Sequence, residues 1–435
     1  MRLCFIADYG SPTAVNWIDH FARLGHDVHV ISTGACKQHA APVRLHTLGP
    51  ASAPRGGAKY RLPDPASYAG RIAQALWRSV VLPRRVWRYS KLVRSLVAEI
   101  RPDILHCLRI PIEGELGLFT GFRPFVVSIW GNDLTLYAGK SLPHRILTRR
   151  VLAAAAAILA DCQADLDRSA RFAKLHGVEM LVTPGGGGVR AELFAPGEVG
   201  AGERERLGIP AVHRVVLNPR GVRGYVRHDT VFAAMAQVKR QLPDVSLVCV
   251  GLKGWPAAEA WVKRYDLGGH VVLTDVLSQR QLAQLFRLAE VSVSISEHDG
   301  TPNSLLEAMA SGSIPICGDL ASTREWIQSG VNGWLVPADG AGALAAAILG
   351  CFRDETFRRN AAAFNQNLIR ERATYPTCMV AVEELYRRVA GRSSTQTTPR
   401  RPVAERGRSE APGRKVHGCK ASAASLVHQE VPAKS

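Results

Sequence analysis

From its first residues the chain alternates short apolar strands with amphipathic helical stretches, and it runs through this alternation in two series. LCFIA (3–7) is an apolar run ending in a turn signal, Asp8 to Pro12. Pro12 suits the opening of a helix whose apolar stripe is Trp17, Ile18, Phe21 and Leu24; Gly25 stops it, and DVHVIS (27–32) is the next strand. A strand, a helix and a strand in that order imply parallel pairing, because only a long crossover joins parallel neighbours. Further strands read at 104–108, 125–130, 157–161 and 180–184. The glycine-rich stretch 183–200 ends this series, and its GGGG (185–188) reads as a flexible hinge or an acceptor-side loop. The second series begins with VVLNP (215–219) and continues through SLVCVG, HVVLTD, VSVSIS and IPICG. Two such series predict two doubly wound, Rossmann-like α/β domains, 1–195 and 196–375, facing an interdomain cleft. Ligands then belong at the carboxyl ends of the strands.

At 435 residues the chain is long enough for two domains. Its net charge of +18 invites nucleic acid as a partner, but the charge is unevenly placed. Residues 391–435 hold nine basic groups against three acids in a Ser/Thr/Pro/Gly-rich context, and read as a disordered basic tail. Residues 51–100 hold ten basic groups against two acids. The remainder is near neutral and lacks a nucleic-acid reading motif, so no nucleic-acid partner is expected. Within 71–100, Trp77 and Trp87 lie among arginines, and Arg84, Arg88 and Lys91 share a helical face. That face is either an ordinary solvated one or a patch for an anionic membrane surface. The longest apolar run, Val151 to Ala160, is too short to span a bilayer. MRLCFIADYG does not read as a secretory signal, and nine singly spaced cysteines fit reduced cytosolic thiols better than disulfides or zinc. Asp165-Leu166-Asp167 reads as a solvated helix face, since residues two apart on a helix diverge. No metal site is expected.

The most informative stretch is SISEHDGTPNSLLEAMASGSIPICGD (294–319). After the strand, Thr301 suits a helix N-cap, Pro302 the first helical position and Gly312 the stop. The amides of Asn303, Ser304 and Leu305 then fall among the unpaired donors of the first turn, where a phosphate fits, and Gly300 permits close approach of the backbone. Glu307 follows Asn303 by four residues, so the two share a face, with Glu307 leaning back toward the helix start and within reach of a ligand hydroxyl. Asp299 sits in the loop above the strand.

These residues resemble the retaining GT-B glycosyltransferases of family 4, whose E-x7-E pattern takes the form acid-Gly-x-Pro-x-x-x-x-Glu-Ala-Met-Ala-x-Gly. Asp299, Gly300, Pro302, Glu307, Ala308, Met309, Ala310 and Gly312 stand in those places, with Asp in place of the first Glu; Glu297 is a nearby acid that could compensate. The resemblance runs in order over residues 1–390, through PDILH (102–106), IWGND (129–133), VVLNPRG (215–221), NGWLVP (332–337) and YRRV (386–389). It implies the GT-B fold, with a closing helix at about 376–390 crossing back onto the N-terminal domain. It also implies transfer, with retention and without metal or other cofactor, from a nucleotide-sugar such as a UDP- or GDP-sugar. The acceptor would be a glycan or lipid-linked molecule of cell-envelope or exopolysaccharide assembly, including lipopolysaccharide, at the cytoplasmic face of the plasma membrane. By the same resemblance Arg220 would bind the diphosphate, with Arg223 replacing the family's Lys. Asp299 with Gly300 and Thr301 would hold the sugar, and Glu307 the ribose. The loop after the first strand, at Gly10, would face the donor. On the acceptor side, His106 is a cleft residue or a core histidine, and Asp133 orients the acceptor or stabilises a turn. The departures at Asp299, at the missing Lys and at 185–188 also allow a catalytically degenerate binding or scaffold subunit.

Overall fold

The computed structural model describes residues 1–34, 36, 41–48, 82–131, 133–139 and 142–395. Most of the basic stretch before Leu82, with Trp77, and the tail beyond Thr395 lie outside the described residues. The chain forms two wholly parallel sheets flanked by helices. The first holds β1 (Arg2–Ala7), β2 (Asp27–Ser32), β3 (Val43–Thr47), β4 (Ile104–Cys107), β5 (Phe125–Ile129), β6 (Ala157–Ala160) and β7 (Glu179–Val182), in the order β3-β2-β1-β4-β5-β6-β7. The second holds β8 (Arg214–Asn218), β9 (Val245–Cys249), β10 (Val271–Leu273), β11 (Val291–Ser294), β12 (Ile314–Gly318) and β13 (Trp334–Val336), in the order β10-β9-β8-β11-β12-β13. Each sheet reverses its winding once, between β1 and β4 and between β8 and β11. These switch points open a crevice at the strand ends and so position the site.

The central strands read as apolar runs because helices cover both faces: β1, β4, β5 and β6 are buried at nearly every position. Edge strand β3 gives no such signal, since Arg44, Leu45 and Thr47 are exposed. The helix Pro12–Arg23 has Pro in its first turn and buries Trp17, Ile18 and Phe21 against the first sheet. Against the same cluster lies the last helix, Tyr375–Thr395, through Met379, Val382, Leu385, Tyr386 and Val389. That helix runs on into the first residues of the segment read as a tail.

The GGGG segment is a tightly packed crossing, not a loose hinge. All four glycines have positive φ. A Cβ on Gly185 would lie 2.5 Å from Asn303 Oδ1, and one on Gly188 would lie 2.8 Å from the Ala373 carbonyl. Both the conformation and the close approach therefore require glycine there. Just beyond, Val189 N–H donates to Ala373 O (2.7 Å) and Tyr375 N–H donates to Val189 O (2.8 Å). The outward and return crossings of the chain are thus bonded to each other.

Candidate active site

The loops leaving both switch points meet around a cavity of about 430 Å³. The second sheet contributes Arg220 and Arg223 after β8, and Asp299, Thr301, Pro302, Asn303, Ser304 and Glu307 after β11. The first sheet contributes Thr13, Arg109, Trp130, Gly131 and Asp161. The structure therefore gathers most of the residues singled out in the sequence around one space.

The helix Asn303–Ser311 starts one residue later than the capping pattern suggests. Pro302 itself is the cap residue, in extended conformation, and Thr301 precedes it, its hydroxyl accepting a hydrogen bond from Trp326 Nε1 at 3.2 Å. Leu305 N–H already donates to Pro302 O (3.0 Å). Neither the Asn303 nor the Ser304 amide has a backbone acceptor among the described residues, so these two, not three, are the open donors at the helix start. The Ser304 hydroxyl is buried without a hydrogen-bond partner among the described residues. One turn on, Glu307 is 9% exposed; burial pushes its carboxyl up to about 7, against the opposing pull of the Arg220 charge. Leu305 faces the core, and Gly312 ends the helix at φ +89°.

Arg220 Nη2 donates to Asp299 Oδ2 at 2.6 Å, and Nη1 to Ser294 Oγ at 3.5 Å. Burial opposes the Arg220 charge, but Asp299 more than restores it, so the guanidinium stays firmly protonated. Arg223 is exposed at the cavity rim, its guanidinium donating to Val222 O at 2.9 Å. Glu297 turns away from the cavity: it pairs with Arg227 at 3.0 Å on the surface and does not compensate for the shorter Asp299. Gly10 lies in an exposed turn, its N–H bonded to Asp8 Oδ1 at 3.1 Å, and the neighbouring helix residue Thr13 reaches the cavity instead.

On the other wall, His106 is a core histidine. It is wholly buried, hydrogen-bonded to Tyr386 Oη at 2.5 Å and Ser128 Oγ at 2.9 Å, and burial pushes its imidazolium down to about 3. It does not line the cleft. Asp133 is also fully buried and grips Arg109 Nη2 at 2.7 Å, while accepting from the amides of Ile110 (3.1 Å) and Trp130 (3.3 Å). Its geometry fixes Arg109 and the Trp130 turn, and Arg109 is the cation that faces the cavity. Asp161 ends β6 and meets the Gly300 loop. Arg109, Trp130 and Asp161 were not singled out from sequence, yet each stands within two residues of a strand's carboxyl end.

Asp165 corrects another expectation. It is buried, 1% exposed, and pairs with Arg168 at 2.5 Å, whereas Asp167 alone is solvated. Asp161, Cys162 and Asp165 place one potential ligand atom each within 4.8 Å of one another, the one such group among the described residues able to hold a metal. Burial, followed by the charges of Asp165 and Asp299, holds the Asp161 carboxyl well above its usual range.

Residues 202–368 match the family described as glycosyl transferases group 1, and residues 2–162 match the family described as glycosyl transferase 4-like. Both matches are to glycosyltransferase families, one over each of the two sheets. The chain is 31% identical over 131 residues to phosphatidyl-myo-inositol mannosyltransferase of Mycolicibacterium smegmatis, an alignment covering 29% of this chain and 33% of that protein. It is 33% identical over 115 residues to amylovoran biosynthesis glycosyltransferase AmsK of Erwinia amylovora, covering 26% and 25%. The matches thus span a third or less of these relatives' own lengths. The fold is similar to that of Anabaena Alr3699/HepE, solved in complex with UDP-glucose, with a TM-score of 0.64, 18% identity, and coverage of 91% of this chain and all of that one. The architecture is GT-B, two Rossmann-like domains. No helix among the described residues is long and apolar enough to cross a membrane.

Proposed function

We propose that this chain is a retaining glycosyltransferase that moves a sugar from a nucleoside-diphosphate sugar to a glycan or lipid-linked acceptor in envelope or exopolysaccharide assembly. One observation carries the reading: the open helix start at Asn303 and Ser304, the Arg220 guanidinium and the buried carboxyl of Glu307 line one cavity at a switch point. The helix start and Arg220 suit a diphosphate whose negative charge grows as the glycosidic bond breaks, and Arg223 at the rim adds a second cation. Asp299 pairs with Arg220 at 2.6 Å; a diphosphate competes for that guanidinium and frees Asp299 to take sugar hydroxyls. Glu307 stands one turn further in, where ribose hydroxyls would donate to it. With positive charge supplied by the helix and arginines, the leaving group needs no metal in this reading. HepE, solved with UDP-glucose, makes a UDP-sugar a first donor to try, beside GDP-sugars.

The reading places the enzyme peripherally on the inner face of the plasma membrane. The helix Leu82–Ile100 buries Val86, Val93, Val97 and Ile100 and leaves Trp87 73% exposed beside exposed Arg84, Arg88 and Lys91, a composition suited to anionic lipid. The deciding experiment is a thermal-shift and transfer screen of wild type and Glu307→Ala against UDP-, GDP- and ADP-sugars. Stabilisation of wild type by one donor, with turnover lost in the variant, is the expected result. Tight donor binding with neither transfer nor hydrolysis would refute the catalytic reading.

A further inference from the structure

Asp161 is 8% exposed at the end of β6, and its two carboxyl oxygens are unequally served. Oδ2 accepts from the Gly131 amide at 3.2 Å, while Oδ1 is buried with no hydrogen-bond partner among the described residues. Asp161 lines the same cavity as Arg220 and Glu307. A Cβ on Gly300 would fall 2.2 and 2.3 Å from its two oxygens, so this carboxyl lies directly against the Gly300 backbone, beside Asp299. The neighbouring cations are committed elsewhere, Arg220 to Asp299 at 2.6 Å and Arg109 to Asp133 at 2.7 Å. Asp165, which also faces Asp161, is held by Arg168. Among the described residues no protein donor therefore serves Oδ1, and neighbouring carboxylates repel an anion from it. The ligand that fits is a neutral group rich in hydroxyl donors, adjacent to the place where the diphosphate would sit.

We propose that Asp161 is the residue of the N-terminal domain that reads the transferred sugar: its unpartnered oxygen accepts a hydrogen bond from a hydroxyl of the donor's hexose, opposite Asp299. This rests on the nucleotide-sugar reading of the cavity and adds to it a sugar contact made by the facing domain. As the walls stand, Oδ1 is shut in against Gly300, so a donor hydroxyl reaches it only as the walls part enough to admit the sugar.

The test compares wild type, Asp161→Ala and Asp161→Asn by calorimetry with UDP and GDP alone, with the matching intact UDP- or GDP-hexose, and with its monodeoxy forms. Asp161→Ala should bind the nucleoside diphosphate within about twofold of wild type yet lose ~tenfold in affinity for the intact donor, the size expected for one buried hydrogen bond. One deoxy donor should lose the same factor with wild type and nothing further with Asp161→Ala; Asp161→Asn should lie between. Equal loss of diphosphate and donor affinity would overturn the proposal in favour of a structural role. So would undiminished donor affinity in Asp161→Ala, or stoichiometric Mn²⁺ binding that both Asp161→Ala and Asp165→Ala abolish. Wild type binding neither UDP nor GDP would overturn the donor-site reading itself, and this proposal with it.

Discussion

Glu307→Gln should make the protein more stable at pH 8 while removing its ability to hold a donor. The Glu307 carboxyl is buried along the helix Asn303–Ser311, and burial pushes it up to about 7 from an ordinary 4.5. Below pH ~4.5 it is neutral in both the folded and the unfolded chain and contributes no pH dependence. Between those values the unfolded chain ionises first, so wild-type stability falls as pH rises; above pH ~7 the deficit is complete. The interval corresponds to about 3 kcal/mol at ~1.36 kcal/mol per pH unit. Gln keeps the shape and cannot ionise. The variant should match wild type at pH 4.5 and exceed it by about 2–3 kcal/mol at pH 8, read as the shift of the urea midpoint followed by tryptophan fluorescence at constant m. An equal offset at both pH values, or a less stable variant at pH 8, would refute the claim that an ionised Glu307 is held against its own desolvation. The same preparation should show no thermal shift with any donor that stabilises wild type.

Gly188→Ala should destabilise the protein by more than ~2 kcal/mol, since φ is +85° and the new Cβ would sit 2.8 Å from the Ala373 carbonyl; a thermal melt within 1 °C of wild type would contradict this. Asp133→Asn should cost about 2–3 kcal/mol and weaken donor turnover, because Arg109 loses its counter-charge; a melt like that of wild type would remove Asp133 from its positioning role. Trp87→Glu should leave turnover of a soluble acceptor unchanged and cut co-sedimentation with phosphatidylglycerol vesicles several-fold; unchanged sedimentation would dismiss the helix Leu82–Ile100 as a membrane contact.

Much of the fold was legible because buried parallel strands leave uninterrupted apolar runs, such as FVVSI in β5 and VSVS in β11. Edge strand β3 was not, because only one of its flanks needs covering and its exposed Arg44 and Thr47 break the pattern. On the donor wall, one contiguous segment holds Asp299, Asn303 and Glu307, so local spacing brings them together. On the facing wall the lining comes from three separate strand ends and the first helix, and no local spacing links Arg109, Trp130 and Asp161. Reading the residues just after each strand would have found them. His106 shows the limit of that rule. It falls within β4 and pairs opposite Phe5, so its side chain enters the core, whereas Arg109, two residues past the strand, reaches the cavity. The GGGG run misled because glycine serves looseness and tight packing equally well, and only its neighbours decide which.

Because Val189 and the Ala373–Tyr375 segment are bonded to one another, the two strands of chain that link the domains behave as a single axle rather than as two independent tethers. An axle permits rotation and resists sliding. On the far side of the cleft, beside the Asp161–Gly300 contact, the Gln163 and Ala164 amides donate to the Glu325 carboxylate at 3.0 and 2.8 Å, so any loss of tightness at Gly188 would load that second tie.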